Sequence, residues 1–271
     1  MAVKTEAFYL PAASGDLFCV LTRPPPGCTV AGAVLYLHPF AEEMNKTRRM
    51  AALGARGLAA AGYVVLQVDL HACGDSAGDF AQATWPTWQE DAASAARWLM
   101  DRNYGPFWIW GLRAGALIAG AVLEKHPDAA GLLLWQPVLI GRRHLTQFLR
   151  LKIAEDLSGA ARDDTQTLRA HLAAGEPLEI AGYQLSPALA AGLDAAELGL
   201  PPGYAGRVIW IEVRAEGGAL SAAVVSTAAR WREAGVRVEV TTVVGPSFWQ
   251  TREIEECPAL LTESARMLEK R

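Results

Sequence analysis

Cysteine is scarce in this chain of 271 residues. The four cysteines are Cys19, Cys28, Cys73 and Cys257, and no two of them form a CxxC pair. This spacing excludes a zinc ribbon and a thioredoxin-type redox site. Four cysteines in a chain of this length also do not support a disulfide scaffold, so we expect a reducing, cytoplasmic location. The sequence predicts no metal and no cofactor.

The chain also lacks a basic surplus and a long uninterrupted apolar run. Lys and Arg total 25 and Asp and Glu total 29, and the net charge of −4 argues against a nucleic-acid partner. No basic segment followed by an apolar one opens the chain, so we predict no signal peptide. The longest apolar stretches, 107–123 and 129–140, are interrupted by Arg113 or too short for a bilayer, so we predict no membrane span.

What the sequence does contain is a repeated order of apolar strand, loop and helix. Short apolar runs predict strands at 31–37, 63–68, 107–110, 132–135, 208–213 and 236–244. Helical periodicity predicts helices at 46–61, 85–103, 114–124, 221–234 and 258–270. Continuously apolar strands that alternate with helices indicate a parallel sheet covered on both faces. We therefore predict an α/β fold with a mostly parallel sheet of about eight strands.

Residues 141–203 interrupt this alternation and show no convincing strand. One helical stripe consists of apolar residues at helical spacing, namely Leu145, Phe148, Leu149 and Ile153. Ser186–Pro187 predicts the start of another helix, because serine is a favoured N-cap and proline a favoured first helical residue. We interpret 141–203 as a helical cap over the active-site edge of a core formed by 1–140 and 204–271. The alternative is a peripheral packing layer.

The loops that follow the predicted strands carry the candidate site, because ligands of open α/β sheets bind beyond the carboxyl ends of the strands. Four such loops are His38-Pro39-Phe40, the Gly-rich segment from Asp69 to Gly78, Gly111-Leu112-Arg113-Ala114-Gly115, and Gly245-Pro246-Ser247-Phe248-Trp249. In this order they resemble the loops of α/β-hydrolases, from about residue 5 to the C-terminus. The first resembles the oxyanion loop, and the third lies where the nucleophile elbow G-x-S-x-G belongs.

A narrower resemblance rests on the segments HPFAEEMNKTRRM, GDSAGDF and WGLRAGALIA. They are similar to bacterial hydrolases associated with the exosortase A system. This resemblance implies an α/β-hydrolase fold and a small ester, thioester or acyl substrate. It also implies an association with exopolysaccharide and protein-sorting gene clusters, and hence a protein partner from that system.

The chain departs from the hydrolase pattern at two positions of the catalytic triad. The centre of the elbow is Arg113, whose protonated guanidinium cannot act as a nucleophile. No histidine follows His171, so Phe248 and Trp249 stand where a catalytic imidazole belongs. Only the acid position has a candidate, Glu216. Loss of nucleophile and base together lowers turnover about 10^6-fold in a serine hydrolase.

Several candidate roles stay open at this point. Ser76 is a candidate relocated nucleophile with His71 as its base, although the simpler interpretation is that Ser76 and Cys73 satisfy hydrogen bonds of the Gly-rich loop. His38 is either a structural histidine or a polar group at a pocket mouth. The candidate pocket-lining residues are His38, Phe40, Arg113, Phe248 and Trp249.

Arg113 itself requires a negatively charged neighbour. It precedes a predicted helix, whose positive N-terminal end disfavours a cation, and a buried unpaired guanidinium is strongly destabilising. Glu216 is slightly ahead among the candidate partners, the others being Glu42, Glu43 and Asp75. The alternative is that Arg113 binds a small anionic ligand.

Three functions therefore remain open. The first is hydrolysis of a small ester or acyl group, as the family resemblance implies. The second is non-catalytic binding of a ligand in the former active-site pocket. The third is a scaffold role in exopolysaccharide assembly. Fold alone does not decide between them.

Overall fold

The structure is a computed structural model that describes residues 2–155 and 164–269. Its strands are β1 (Lys4–Ala12), β2 (Gly15–Arg23), β3 (Gly32–Leu37), β4 (Tyr63–Val68), β5 (Phe107–Leu112), β6 (Gly131–Trp135), β7 (Leu178–Ile180), β8 (Tyr183–Leu185), β9 (Arg207–Arg214) and β10 (Arg237–Val244). Its helices are α1 (Glu42–Ala60), α2 (Trp85–Met100), α3 (Gly115–Lys125), α4 (Gly141–Glu155), α5 (Thr165–Ala173), α6 (Pro187–Ala195), α7 (Ala222–Glu233) and α8 (Pro258–Glu269). A short 3₁₀ turn covers Phe80–Gln82.

Eight strands form one sheet in the order β1-β2-β4-β3-β5-β6-β9-β10. The pairs β1·β2 and β2·β4 are antiparallel, and all other pairs are parallel. The predicted α/β fold with a mostly parallel sheet of about eight strands is therefore confirmed. The antiparallel β1–β2 hairpin supplies the two strands that the apolar runs did not locate.

Helices cover both faces of the sheet and bury its side chains. Helices α1 and α8 pack on one face, where Trp110 and Trp135 are fully buried and their rings lie 4.5 Å apart. Helix α1 approaches these rings closely at Gly54, where an added Cβ would lie 2.5 Å from Trp110. Helices α2, α3 and α7 bury the other face, so the parallel strands are apolar on both sides.

The segment 141–203 contains α4, α5 and α6, and α6 packs against both α4 and α2. Ser186 caps α6 through a hydrogen bond from Leu189 N, with Pro187 as the first helical residue. The expectation of no strand in this segment is wrong, because β7 and β8 pair as a hairpin. Positive φ angles at Ala181 and Gly182 make the tight turn, and three-residue strands are too short to show alternation. The division into core and cap stays a prediction.

Helix α8 ends at Glu269, so the predicted extension to Lys270 lies outside the described residues. Within the parts of the chain that the structure describes, no helix is both long and apolar enough to cross a membrane.

Candidate functional site

The turn between β5 and α3 has the geometry of a nucleophile elbow. Arg113 adopts a positive φ of 53°, which is rare for a residue with a side chain and marks a tight turn. Its N–H donates to Trp135 O and its carbonyl accepts from Val138 N, and the donor–acceptor distance is 3.0 Å in both hydrogen bonds. A Cβ added to Gly111 would lie 2.6 Å from the Ala116 backbone, and a Cβ added to Gly115 would lie 2.2 Å from Leu37 O. Both flanking glycines are therefore required by close backbone approach.

The side chain at the centre of the elbow is held by an acid and an aromatic ring. Arg113 Nε and Nη2 donate to the carboxylate of Glu43, with Nη2 3.0 Å from Oε1. The two side chains are only 11% and 7% exposed. The Trp249 ring centroid lies 5.2 Å from Arg113 Cζ, within cation–π range. The centre of this turn thus holds a cation that is paired with a carboxylate and covered by an aromatic ring.

The partner of Arg113 is Glu43 rather than Glu216, which the sequence analysis placed slightly ahead. Strand β9 ends at Arg214, and Glu216 lies beyond it in an exposed turn. Glu43 lies in the first turn of α1, next to the elbow. The acid at the end of β9 is instead Glu212, which is buried and accepts hydrogen bonds from Trp210 Nε1 and Arg214 Nη2. A lone acid inside an apolar strand was the available signal for Glu212.

Ser76 uses its hydroxyl to hold the Gly-rich loop. Its Oγ donates a hydrogen bond of 2.6 Å to Asp69 O and accepts one of 2.8 Å from Phe18 N. The Asp69 carboxylate in turn pairs with Arg48. Cys73 is buried, and burial raises the pKa of its thiol and disfavours a reactive thiolate. These contacts favour the structural interpretation of Ser76 and Cys73 over a relocated nucleophile.

His38 also connects backbone segments. Its Nε2 accepts from Leu70 N and its Nδ1 donates to Pro39 O, so both ring nitrogens are used in buried hydrogen bonds. Burial lowers the pKa of the imidazole, which is consistent with a neutral structural histidine. Phe40 and Phe248 are almost fully buried in the two core clusters. Of the five candidate pocket-lining residues, Arg113 alone lines the cleft between α4 and α7.

A cleft of about 800 Å³ opens beside the elbow, between α4, α7 and the loop after β6. Besides Arg113, it is lined by Arg143 and Arg230, which are exposed and make no ion pair within the described parts of the chain. The first turn of α7 lies at its edge, with Ser221 as N-cap, and one acid, Glu197, also lines it. In the sequence, Arg143 and Arg230 carry no signal of a binding role beyond their charge.

His144 is a further site residue that sequence reasoning missed. It lies on α4 and lines the cleft, and it is only 6% exposed. Burial lowers the pKa of its imidazole to about 4, which the negative charge of Glu43 opposes and the positive charge of Arg113 reinforces. The ring is therefore neutral at pH 7. Its Nδ1 is buried and has no hydrogen-bond partner among the described residues.

Glu42 stands next to Glu43 in the chain but has a different environment. Its Oε2 is buried without a hydrogen-bond partner in the described part of the structure. Burial raises the pKa of its carboxyl, and the charge of Glu43 contributes in the same direction. No group of three or more metal-ligating side chains is found among residues 2–155 and 164–269.

Comparison with solved structures shows which fold this is. Est1E from Butyrivibrio proteoclasticus, solved with ferulic acid bound, matches 97% of this chain and 98% of its own with a TM-score of 0.70 and 13% identity. Carboxyl esterase 2 from Tuber melanosporum matches 100% of this chain and 85% of its own, with a TM-score of 0.63 and 15% identity. An α/β serine hydrolase without lid from Xanthomonas campestris matches 98% and 92%, with a TM-score of 0.58 and 16% identity.

The chain therefore has the α/β-hydrolase fold, with structural neighbours that are esterases and serine hydrolases. Comparison with protein-family models and with curated protein sequences finds no match. At these identities the likeness establishes the fold alone, and function must be argued from the site.

Proposed function

We propose that this chain is a non-hydrolytic binding protein on the α/β-hydrolase fold, which binds a small anionic ligand in the cleft beside Arg113. The proposal is based on the residue at the centre of the elbow, which is an arginine and not a nucleophile. Arg113 replaces the nucleophile, and its guanidinium is held by Glu43 and covered by Trp249. A protonated guanidinium neither attacks an acyl carbon nor activates water.

The surroundings of the elbow support the absence of hydrolysis. The hydroxyl of Ser76 is bonded to two backbone groups, and the thiol of Cys73 is buried in the core. His38 uses both ring nitrogens to hold the backbone. Nucleophilic catalysis needs a nucleophile within hydrogen-bond reach of a base, and none of these three groups meets that requirement.

The charge of the cleft supports an anionic ligand. Arg143 and Arg230 offer guanidinium groups that are free of carboxylate partners in the described structure, and Arg113 lies at the inner wall. The first turn of α7 adds backbone N–H groups that lack intrahelical partners. Arginine binds carboxylates and phosphates in a planar, two-pronged geometry. The single acid Glu197 leaves the lining with a positive excess.

Two other functions compete with this proposal. Ester hydrolysis is favoured by the fold, since the structural neighbours are named as esterases and serine hydrolases. A role beside a protein of the exopolysaccharide system is suggested by the motif resemblance alone. In that case the anionic ligand or the partner belongs to exopolysaccharide assembly.

An activity assay separates binding from hydrolysis. Wild-type protein and the Ser76→Ala variant are compared on p-nitrophenyl acetate and p-nitrophenyl butyrate. We expect turnover at the level of the buffer blank for both proteins. Robust wild-type turnover that disappears in Ser76→Ala would contradict the proposal and identify a relocated nucleophile.

A thermal-shift assay tests the anion site. Inorganic phosphate and citrate should raise the Tm of the wild type above that in sodium chloride of equal ionic strength, because a ligand that binds only the folded state stabilises it. Arg143→Gln and Arg230→Gln should each lose most of this shift. Arg142→Gln is the matched control, since Arg142 pairs with Asp194 and lies outside the cleft lining. Equal shifts in all four proteins would refute the site.

A further inference from the structure

The cleft beside the elbow has an apolar wall that a small anion bound to its arginines would leave unused. This wall is the loop after β6, where Leu139 and Ile140 line the cleft and are only half-buried. Val138 and Leu198 belong to the same lining and are buried. Exposed apolar surface that is bordered by polar residues is typical of a groove that binds the apolar part of a ligand.

Backbone hydrogen bonds hold this wall in place. Val138 N donates a hydrogen bond of 3.0 Å to Arg113 O, which fixes the start of the loop to the elbow. Leu198 N donates one of 2.9 Å to Leu139 O, which fixes its middle to the segment after α6. The wall is therefore formed before a ligand binds, and little affinity is lost in ordering it.

One side of α7 forms the opposite wall. Its lining residues follow helical spacing from Ala222 through Ser226 to Arg230, whereas Val224 and Trp231 on the other side are buried in the core. With a rise of about 1.5 Å per residue, the helix covers about 12 Å from Ala222 to Arg230. The cleft is therefore elongated along α7.

The cleft combines this apolar wall with a positive charge. Arg143 on α4 and Arg230 on α7 line it, are exposed and make no ion pair within the described parts of the chain. Inorganic phosphate or citrate would contact the guanidinium groups and leave the apolar wall in water. A ligand that contacts both has an anionic head and an apolar chain, because burial of the chain removes the wall from water.

We propose that the ligand of the cleft is an elongated amphiphilic anion. Its acidic head binds the unpaired arginines, and its apolar chain lies between α7 and the half-buried side chains of Leu139 and Ile140. The inference rests on the proposed anion site and adds the class of ligand. The cleft volume of about 800 Å³ is in the range of small-molecule sites.

Isothermal titration calorimetry with a series of monoalkyl phosphates tests this assignment. Methyl, butyl, hexyl and octyl phosphate share one head group and differ only in the chain, and each is used below the concentration at which it forms micelles. We expect octyl phosphate to bind at least about tenfold more tightly than butyl phosphate, since full burial of one methylene group is equivalent to about fourfold in affinity. Inorganic phosphate should compete with octyl phosphate. The uncharged 1-octanol should bind more weakly than octyl phosphate.

A pair of variants on α7 assigns the chain to the cleft. Ser226→Phe places a ring in the cleft, so it should reduce the preference for octyl over butyl phosphate to about twofold or less and leave the affinity for inorganic phosphate unchanged. Val225→Phe is the matched control, because Val225 is 53% exposed and lies outside the cleft lining. It should behave as the wild type. Both positions are exposed, so neither change disturbs the core.

The outcomes separate this proposal from the proposed function. Equal affinities of methyl and octyl phosphate for the wild type would refute the amphiphilic ligand and leave the anion site intact. A chain preference that survives Ser226→Phe, or that Val225→Phe also removes, would place the chain elsewhere and overturn the assignment. Co-sedimentation with phosphatidylcholine vesicles that contain phosphatidate would overturn it in favour of a membrane surface. If neither inorganic phosphate nor any alkyl phosphate binds, the proposed function itself fails.

Discussion

Arg113 places a positive charge where the fold already has one, at the N-terminal end of α3. The carboxylate of Glu43 and the ring of Trp249 compensate for it. The sequence predicted that a carboxylate must face Arg113 but not which one. The choice depends on the turn that starts α1, where Ala41 adopts a φ of 48° and brings the first turn of the helix to the elbow. No local pattern of residues predicts that geometry.

The Arg113→Ser substitution should destabilise the protein. It leaves the 7%-exposed Glu43 carboxylate buried without its cation, and breaking a buried pair in this way costs about 3–5 kcal/mol. We expect a lower Tm and a lower urea midpoint at pH 7. The double variant Arg113→Ser/Glu43→Leu removes both charges and should regain part of the loss. A Tm equal to or above that of the wild type in Arg113→Ser would instead indicate that Arg113 serves only as a ligand clamp.

Restoring a serine at the elbow should not restore hydrolysis. In Arg113→Ser the hydroxyl would lie at the centre of the elbow, where the Trp249 ring is the aromatic neighbour of residue 113, and no histidine follows His171 in the sequence. A serine hydroxyl without a base is a weak nucleophile at neutral pH. We expect turnover of p-nitrophenyl acetate at the buffer level, measured on protein that remains folded by circular dichroism. Turnover well above that level would show that a base other than a histidine after β10 serves the elbow.

The elements that sequence reasoning located are those with long apolar runs or clear capping residues. Strand β4 has the predicted bounds, and Ser186 and Pro187 begin α6 as expected. The missed elements are the hairpins β1–β2 and β7–β8 and the helix α5. Strand β1 alternates exposed and partly buried residues at the edge of the sheet, and β7 is only three residues long. Tertiary pairing rather than local propensity specifies such strands.

The close contact between α3 and the end of β3 leads to a prediction about the stability of the protein. Gly115→Ala would place a Cβ 2.2 Å from Leu37 O and 2.6 Å from His38 O, and backbone atoms cannot move away easily. We expect a loss of about 2–3 kcal/mol in the free energy of unfolding, as for other overpacked sites. Gly57→Ala on α1 is the control, because nothing lies within 4 Å of its added Cβ. It should stabilise the protein by about 0.5–1 kcal/mol, since alanine is the better helix former.

Urea denaturation of both variants checks this pair. Equal midpoints for Gly115→Ala and the wild type would show that α3 can shift away from β3. That result would also show that the tight turn at Arg113 does not require the close backbone approach at Gly115.

At the scale of the whole molecule, the fold followed from the sequence more completely than the site did. Alternation of apolar strands and helices is a property of whole segments, so it survives errors at single positions. The site depends on which side chains converge from distant elements. His144 of α4, Glu42 of α1 and Arg230 of α7 come together only through the packing of the helices around the sheet. Their spacing in the sequence therefore did not indicate that the three side chains converge.

The stability of the whole molecule should depend on pH through His144. Its pKa is about 4 in the folded protein and 6.5 in an unfolded chain. Between these values the unfolded chain binds a proton that the folded protein does not, so acidification favours unfolding. The contribution is fully present above pH 6.5 and is lost as the pH falls towards 4. At about 1.4 kcal/mol for each pH unit, the loss across this window is about 3 kcal/mol.

The difference between wild-type protein and His144→Phe isolates this contribution. Other buried groups also titrate, with His38 acting in the same direction and Glu42 and Asp91, whose pKa values are raised by burial, acting in the opposite one. These groups are present in both proteins, so their effects largely cancel in the comparison. Urea midpoints at pH 7.0, 5.5 and 4.5 should fall more steeply for the wild type than for His144→Phe. Gln147→Leu, on the same helix but without a titratable group, should follow the wild type. Parallel pH profiles for all three proteins would show that the imidazole is protonated as readily in the folded protein as in the unfolded chain.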